Sequence, residues 1–415
     1  MKANGPALVT GIGIFTSIGC TREEFWKSLV AGQSGIKRIQ AFDPAGHKSQ
    51  VASEVATYNP GNYFDRKEAR KMARMSQLAV SAAMEAVKDA GLDLEKEDRS
   101  RIGAVIGSGG GDYTHLEDQA VRFSKMGPGS INPLTVPRII PNMPVSNVSI
   151  HLGLHGPTLG VAAACTTGAH AIGTALFMLR AGMADVILAG GTEASVIGMV
   201  LDAYSSMGVV SYANEIPEKA SRPFDLNRSG FVLGEGACVL VIETEEHARK
   251  RGAKGLALLS GFGSTSDAYG IAAPEPEGLW AAAAMENAIK DAGLTPEDIG
   301  YVNAHGTATK LNDKTETLAI KKAFHNRNIP VSSTKSMIGH TLSAAGAIEA
   351  AATLLAVHHG ILPPTIAWET PDPECDLDVI PNVARKADIR AAISNSFGFG
   401  GQNGVLVFGK VKGDE

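Results

Sequence analysis

Ala86-Val87-Lys88-Asp89-Ala90-Gly91-Leu92 returns, nearly residue for residue, as Ala288-Ile289-Lys290-Asp291-Ala292-Gly293-Leu294. Each copy reads as the end of a helix closed by glycine, the residue that takes the left-handed conformation there at least cost. A polar linker and an apolar strand come next in both, Gly103-Ala104-Val105-Ile106 and then Gly300-Tyr301-Val302-Asn303. A second echo follows in the same order: Cys165-Thr166-Thr167-Gly168-Ala169 resembles Ser343-Ala344-Ala345-Gly346-Ala347, and each opens an alanine-rich helix. Two matches in one order imply a duplicated unit whose halves meet near residues 250–260, taken as 1–255 and 256–415.

Outward from these echoes, short β-rich runs alternate with helical stretches. Residues 7–13 read as a strand entering a glycine turn, and 72–90 as a helix. Residues 102–106, 186–189, 237–243 and 405–408 read as further strands. The alternation predicts a mainly parallel α/β architecture. Facing halves of this kind place strand ends and helix starts around one cleft. That cleft is expected to collect Cys165, His305 and His340.

The chain of 415 residues is 44% apolar and 20% charged, the balance of a soluble globular protein of two packed halves. A net charge of −5 is not that of a protein built to hold nucleic acid. The four cysteines are far apart with no C-x-x-C pair, which argues against a zinc knot or a disulfide framework and for a cytoplasmic chain. Neither a secretory leader nor an apolar run long enough to span a bilayer is expected.

Cys165 follows a run of small residues and precedes a helical pattern. A thiol at a helix N-terminus is favoured as thiolate, and the free N–H groups there can hold an oxyanion; a small buried core residue is the plainer alternative. His305, in Asn303-Ala304-His305-Gly306-Thr307-Ala308-Thr309, falls in a loop at a strand end, where side chains are held for function or merely bonded to backbone. His340 follows Lys335 and stands beside Gly339. Glu349 lies in the apolar helix that follows, where a carboxylate is costly unless paired, so a link to Lys335 or to a backbone group is expected. Phe397-Gly398-Phe399-Gly400-Gly401 reads as a glycine-rich turn before the last strand, with Phe399 free to swing and its N–H free for a ligand.

Together these segments resemble the β-ketoacyl-acyl carrier protein synthases, above all the elongating enzymes of bacterial type II fatty-acid synthesis. The resemblance spans essentially the whole chain and includes Ser221-Arg222-Pro223-Phe224-Asp225 and Gly230-Phe231-Val232-Leu233-Gly234-Glu235-Gly236. It implies a thiolase-like fold, two duplicated halves packed as a five-layer αβαβα sandwich. It implies an acyl group carried on Cys165, an oxyanion hole from the N–H groups of Cys165 and Phe399, and a malonyl thioester held by His305 and His340 as carbon dioxide leaves. Lys335 and Glu349 would order the histidines, and Phe399 would gate entry. Thr307 and Thr309 would bond the pantetheine arm, with Gly110 and Gly400 also at the substrate. No metal and no cofactor of its own is implied; the substrates ride on acyl carrier protein, whose acidic surface suits the basic run Arg66, Lys67, Arg70 and Lys71, although such a run is commonly just a solvated helix face. A homodimer, or a heterodimer with a related chain-length subunit, is the implied assembly.

Two positions depart from the family pattern. Ala213 stands where these enzymes often carry arginine. Gly110 stands where a bulkier aliphatic often lines the acyl pocket, so a roomier or more polar pocket, suited to a polyene or polyketide chain, is expected. Three rivals are weaker. A thiolase would carry a second active cysteine in the C-terminal glycine turn, where this chain has Phe399. A non-catalytic chain-length subunit would lack Cys165. A dinucleotide loop at Gly11-Ile12-Gly13 has Thr16 in place of its third glycine.

Overall fold

The computed structural model describes residues 5–411. Its main sheet has eleven strands. The first half supplies β1 (Ala7–Phe15), β2 (Ile102–Gly107), β3 (Thr158–Val161), β4 (Val186–Glu193) and β5 (Gly236–Thr244). The second supplies β6 (Ala257–Ser266), β7 (Ile299–Asn303), β8 (Pro330–Ser332), β9 (Ala391–Gly398) and β10 (Gln402–Gly409), with the short strand Asp378–Val379 beyond β8. The order across the sheet is β3-β2-β4-β5-β1, then β6-β10-β9-β7-β8. Read from its outer edge inward, each half runs third, second, fourth, fifth, first. The repeat in sequence is thus a repeat in topology. The halves join through the antiparallel pairs Ala7–Leu259, Leu8–Leu258 and Val9–Ala257.

The expectation of a mainly parallel sheet is not met. In each half the strand after the first repeat motif pairs parallel with both neighbours, as β2 does with β3 and β4, and β7 with β8 and β9. Asp378–Val379 also pairs parallel with β8, and the remaining pairings of this sheet are antiparallel. Connection length accounts for one of these: β9 turns straight back into β10 through residues 399–401, too short for the crossover that a parallel return needs.

Helix α1 (Arg74–Asp89) covers the outer face at β1 and β5, and α2 (Met143–Leu152) packs beside it. Helix α3 (Thr167–Arg180) lies inside, while α4 (Leu279–Asp291), flanked by α5 (Lys310–Ala323), covers β6 and β10. Helix α6 (Ala345–His359) lies beside α3, and both touch strands of the two halves. The layers are therefore αβαβα. Every residue of α6 from Ala345 to Val357 is buried, as a helix between two sheets must be.

The repeated motif is a docking unit. Gly11 and Gly13 lie inside β1, not in a turn after it, because α1 presses on them: a Cβ at Gly11 would lie 2.6 Å from the amide nitrogen of Ala90. Gly261 and Gly263 in β6 meet Ala284, Ala288 and Ala292 in and just beyond α4 in the same way. The aspartate of each motif then accepts a strand N–H, Asp89 from Ile12 at 2.9 Å and Asp291 from Phe262 at 3.0 Å. Gly11-Ile12-Gly13 is thus a packing surface, which removes the dinucleotide reading.

The two inner helices cross at Gly168 and Gly346. A Cβ on Gly168 would lie 2.5 Å from the amide nitrogen of Ala347, and one on Gly346 2.6 Å from that of Ala169. Just before each helix one residue is held at positive φ, Ala164 at 49° and Leu342 at 47°, a conformation that costs about 1–2 kcal/mol without glycine. Gly346→Ala is expected to lower stability by roughly 1–3 kcal/mol in urea unfolding, as the helices are forced apart. A loss within error of zero would show that the crossing tolerates a methyl group.

Candidate active site

Cys165 sits in the turn between β3 and α3. Two threonines hold that strained turn. Thr166 Oγ1 donates to the Ala163 carbonyl at 2.7 Å, and Thr167 Oγ1 to that of Ala164 at 2.7 Å. Thr167 Oγ1 also accepts from the Ala163 N–H at 2.8 Å. The sulfur is 3.1 Å from His340 Nε2, and the Phe399 N–H of the β9–β10 turn lies on the side of the sulfur where it favours a thiolate.

His305 stands at the end of β7. Its N–H and that of Gly306 donate to Glu316 of α5 at 2.8 and 2.7 Å, and Asn395 Nδ2 steadies that carboxylate at 3.1 Å. His340 is held by backbone on both sides: its N–H donates to Val232 O at 2.7 Å, and its carbonyl accepts from the Gly234 N–H at 3.0 Å. The segment 230–236 therefore serves to hold this histidine. The two imidazoles meet edge to face, 5.4 Å between centroids.

Lys335 and Glu349 form a fully buried ion pair. The Lys335 ammonium also lies 3.3 Å from His305 Nδ1. An ammonium can only donate, so Nδ1 accepts and the His305 proton resides on Nε2. Burial and the Lys335 charge hold both imidazoles well below the usual histidine range, so both are neutral. Burial pushes Glu349 up to about 7, against the pull of Lys335.

The expectation of a standing thiolate is not met. Burial pushes the Cys165 thiol up to about 12, outweighing the Lys335 charge and the Phe399 N–H that favour the thiolate. Cys165 is half-buried and opens to the cavity on one side. The resting thiol keeps its proton, and His340 Nε2 is the acceptor within reach.

A cavity of about 480 Å³ opens above these groups, walled by Cys165, His305, His340, Thr307, Thr309 and Phe399 among others. Thr307 and Thr309 share a hydroxyl contact of 2.9 Å. Gly400 is not in the wall; its N–H is spent on the Ile271 carbonyl at 2.7 Å. Gly110 is not in the wall either, and the room left by its missing side chain is filled by the phenol of Tyr113, so the pocket is not roomier for it. Arg66, Lys67, Arg70 and Lys71 are exposed at the short helix Arg66–Ala69, and Ala213 is exposed as well.

Sequence reasoning missed several groups. Glu316 and Asn395 looked like ordinary polar residues of a helix and a strand. Arg228, buried against Asp313 and Asp372, gave no signal beyond its place near the Ser221–Asp225 motif. Asp267 latches the glycine turn, accepting from Asn403 Nδ2 at 2.7 Å and donating its N–H to the Gly401 carbonyl at 2.7 Å. Buried side-chain oxygens of Asn303, Ser394, Ser396 and Glu349 lack a hydrogen-bond partner among the described residues. Lys335→Met is expected to cost about 3–5 kcal/mol, because Glu349 is stranded. Lys335→Met with Glu349→Leu should regain much of that while His305, in ¹⁵N imidazole spectra, populates both tautomers. A single Nε2–H tautomer in the double variant would show that Lys335 does not set it.

A thiol with a proton acceptor beside it, free amides at the sulfur and a neutral N–H donor across the cavity can attack a thioester and hold the oxyanion that forms. That chemistry places the chain among the acyl-transferring condensing enzymes. Residues 5–248 match the family model "Beta-ketoacyl synthase, N-terminal domain" and residues 256–369 match "Beta-ketoacyl synthase, C-terminal domain"; the chain belongs to the β-ketoacyl synthase family. It is 43% identical to 3-oxoacyl-[acyl-carrier-protein] synthase 2 of Coxiella burnetii, over 97% of this chain and 98% of that one. It is 44% identical to the protein of the same name from Staphylococcus aureus, over 99% of both. Among solved structures, the ishigamide ketosynthase/chain length factor superposes with a TM-score of 0.93 at 34% identity, covering 98% of this chain and 100% of that one. A type II polyketide ketosynthase, AntDE, solved with its acyl-carrier protein AntF, gives 0.91 at 32% identity, covering 99% and 100%.

Proposed function

We propose that the chain condenses an acyl group held on Cys165 with malonyl-acyl carrier protein, with loss of carbon dioxide, in fatty-acid elongation. The observation that carries this reading is the 3.1 Å approach of Cys165 Sγ to His340 Nε2 beside a lysine-locked His305. In the first step the thiol attacks the acyl thioester. His340 takes the thiol proton and passes it to the departing pantetheine thiolate. The N–H groups of Cys165 and Phe399 stabilise the tetrahedral oxyanion. In the second step His305 holds the malonyl thioester carbonyl through Nε2–H, while His340, its proton passed on, faces the same cavity. Carbon dioxide leaves, the enolate attacks the acyl-cysteine, and the thiolate regains a proton from solvent.

Thr307 and Thr309 would bond the pantetheine arm, and Phe399 would gate the entrance, with Asp267 holding its turn. The basic run from Arg66 to Lys71 would receive the acidic carrier. No cofactor beyond the carrier's own pantetheine is required by these steps. The division at residue 255 then puts the nucleophile in one half and both histidines in the other. No helix among the described residues is long and apolar enough to cross a membrane, and four free cysteines suit the cytoplasm. A ketosynthase subunit of a type II polyketide or polyene pathway is the second reading, favoured by the two structural likenesses. The higher identities to the fatty-acid enzymes favour the first.

With malonyl-carrier protein, the protein is expected to release carbon dioxide, and an acyl-carrier should leave an adduct on Cys165 by intact-mass spectrometry. Cys165→Ala should abolish the adduct and condensation; unimpaired condensation by that variant would overturn the mechanism. A homodimer is the proposed assembly. The outer edge of β3 is unpaired among the described residues, and Leu159 on it and Ile150 on the adjoining α2 are exposed. Sedimentation should show a dimer that Leu159→Lys weakens, whereas a monomeric wild-type chain would contradict it.

A further inference from the structure

The turn that carries Thr307 and Thr309 is strained and tightly bound. Gly306 and Ala308 both hold positive φ, 40° and 64°, and Ala308 does so without a glycine's freedom. Phe224, packed against Gly306, is held at 64° as well; a Cβ on Gly306 would lie 3.1 Å from its ring. Strain of this kind persists only where surrounding contacts over-determine it, and it gathers at sites that clamp a ligand.

Asp313 supplies the first of those contacts. Its carboxylate accepts the N–H of Ala308 at 3.2 Å and that of Phe224 at 2.8 Å. The Gly230 N–H donates to the Ala308 carbonyl at 2.9 Å. Arg228 supplies the rest. Its guanidinium lies 3.5 Å from the Asp313 carboxylate and donates to the carbonyls of Thr309 at 3.4 Å, Lys310 at 3.2 Å and Asp225 at 2.9 Å. A further N–H meets Asp372. A guanidinium buried this deeply is costly unless its donors are used, and most of these are spent on the backbone around Thr309. The planar fork fixes the direction of those carbonyls. With them it fixes the two threonine hydroxyls, which stand 2.9 Å apart in the cavity wall. Asp372, which anchors the fork, is not in that wall.

We propose that Arg228, anchored by Asp372, is a positioning residue for the carrier's pantetheine arm. It sets Thr307 and Thr309 side by side so that their hydroxyls bond the arm, and it takes no part at the reacting atoms. The inference rests on these two threonines being the arm's partners.

The test compares malonyl-carrier protein with malonyl ethyl thioester, which has no arm. Carbon dioxide release gives kcat/KM for each, and the ratio of the two measures what the arm contributes. Thr307→Val with Thr309→Val should lower that ratio about tenfold, chiefly by raising KM for the carrier, the weight of roughly one hydrogen bond. Arg228→Lys keeps the charge and loses the fork. It should lower the ratio about as far, and add nothing further to the threonine double variant. Asp372→Asn, an isosteric change outside the cavity, should lower it about threefold, and decides alone if Arg228→Lys does not fold. A ratio unchanged in Arg228→Lys and Asp372→Asn, while the threonine variant lowers it, overturns the positioning role only. An equal loss with both thioesters does the same, since it marks general scaffolding. A ratio unchanged in the threonine variant refutes the arm contacts, and the proposal with them.

Discussion

The close crossing of α3 and α6 is the constraint on which the rest depends. Each helix begins with a strained turn, and each turn carries or adjoins a working side chain, Cys165 on one and His340 on the other. The helices approach until the backbone of one fills the space a Cβ would take on the other, at Gly168 and Gly346. That distance brings residues from the two halves of the chain within a hydrogen bond of each other. Larger residues would separate the turns, and the thiol would lose its proton acceptor. Interiors packed like this transmit small displacements instead of absorbing them.

Burial then sets the chemistry. Burial raises the Cys165 thiol and lowers both imidazoles, which favours the neutral form of all three. One ammonium, Lys335, is kept in this interior by its pairing with Glu349, and its remaining donor capacity fixes the tautomer of His305. A neutral imidazole with a defined tautomer, as His305 has, can donate to a developing enolate, where an imidazolium ion would surrender a proton to it. A single buried ion pair thus sets the proton position on His305, the donor on which the second step relies.

Much of this was legible in the linear chain. The two Lys-Asp-Ala-Gly motifs announced the duplication, and their spacing located the halves. Their physical meaning was not legible: Asp89 and Asp291 bond the strands beneath them, and the glycines of β1 and β6 receive the alanines of the same helices. Gly11-Ile12-Gly13 could be read as a turn because a glycine needed for close packing looks, in sequence, like a glycine needed for a bend. Gly110 misled for a related reason. An absent side chain shows as space in sequence, but the space was claimed by Tyr113 from the following helix.

The sequence by itself determined the repeat, the nature of the reacting groups and their order, because these are written in local residue patterns. Tertiary structure decided the strand directions, the protonation of Cys165, the tautomer of His305 and the carboxylates that support the loops. Glu316 reaches the backbone of His305 from another helix, and Glu193 reaches Ser343 from the opposite half. Such contacts, and the dielectric that shifts a proton, depend on what surrounds a residue in space, and neighbours distant along the chain supply most of those surroundings.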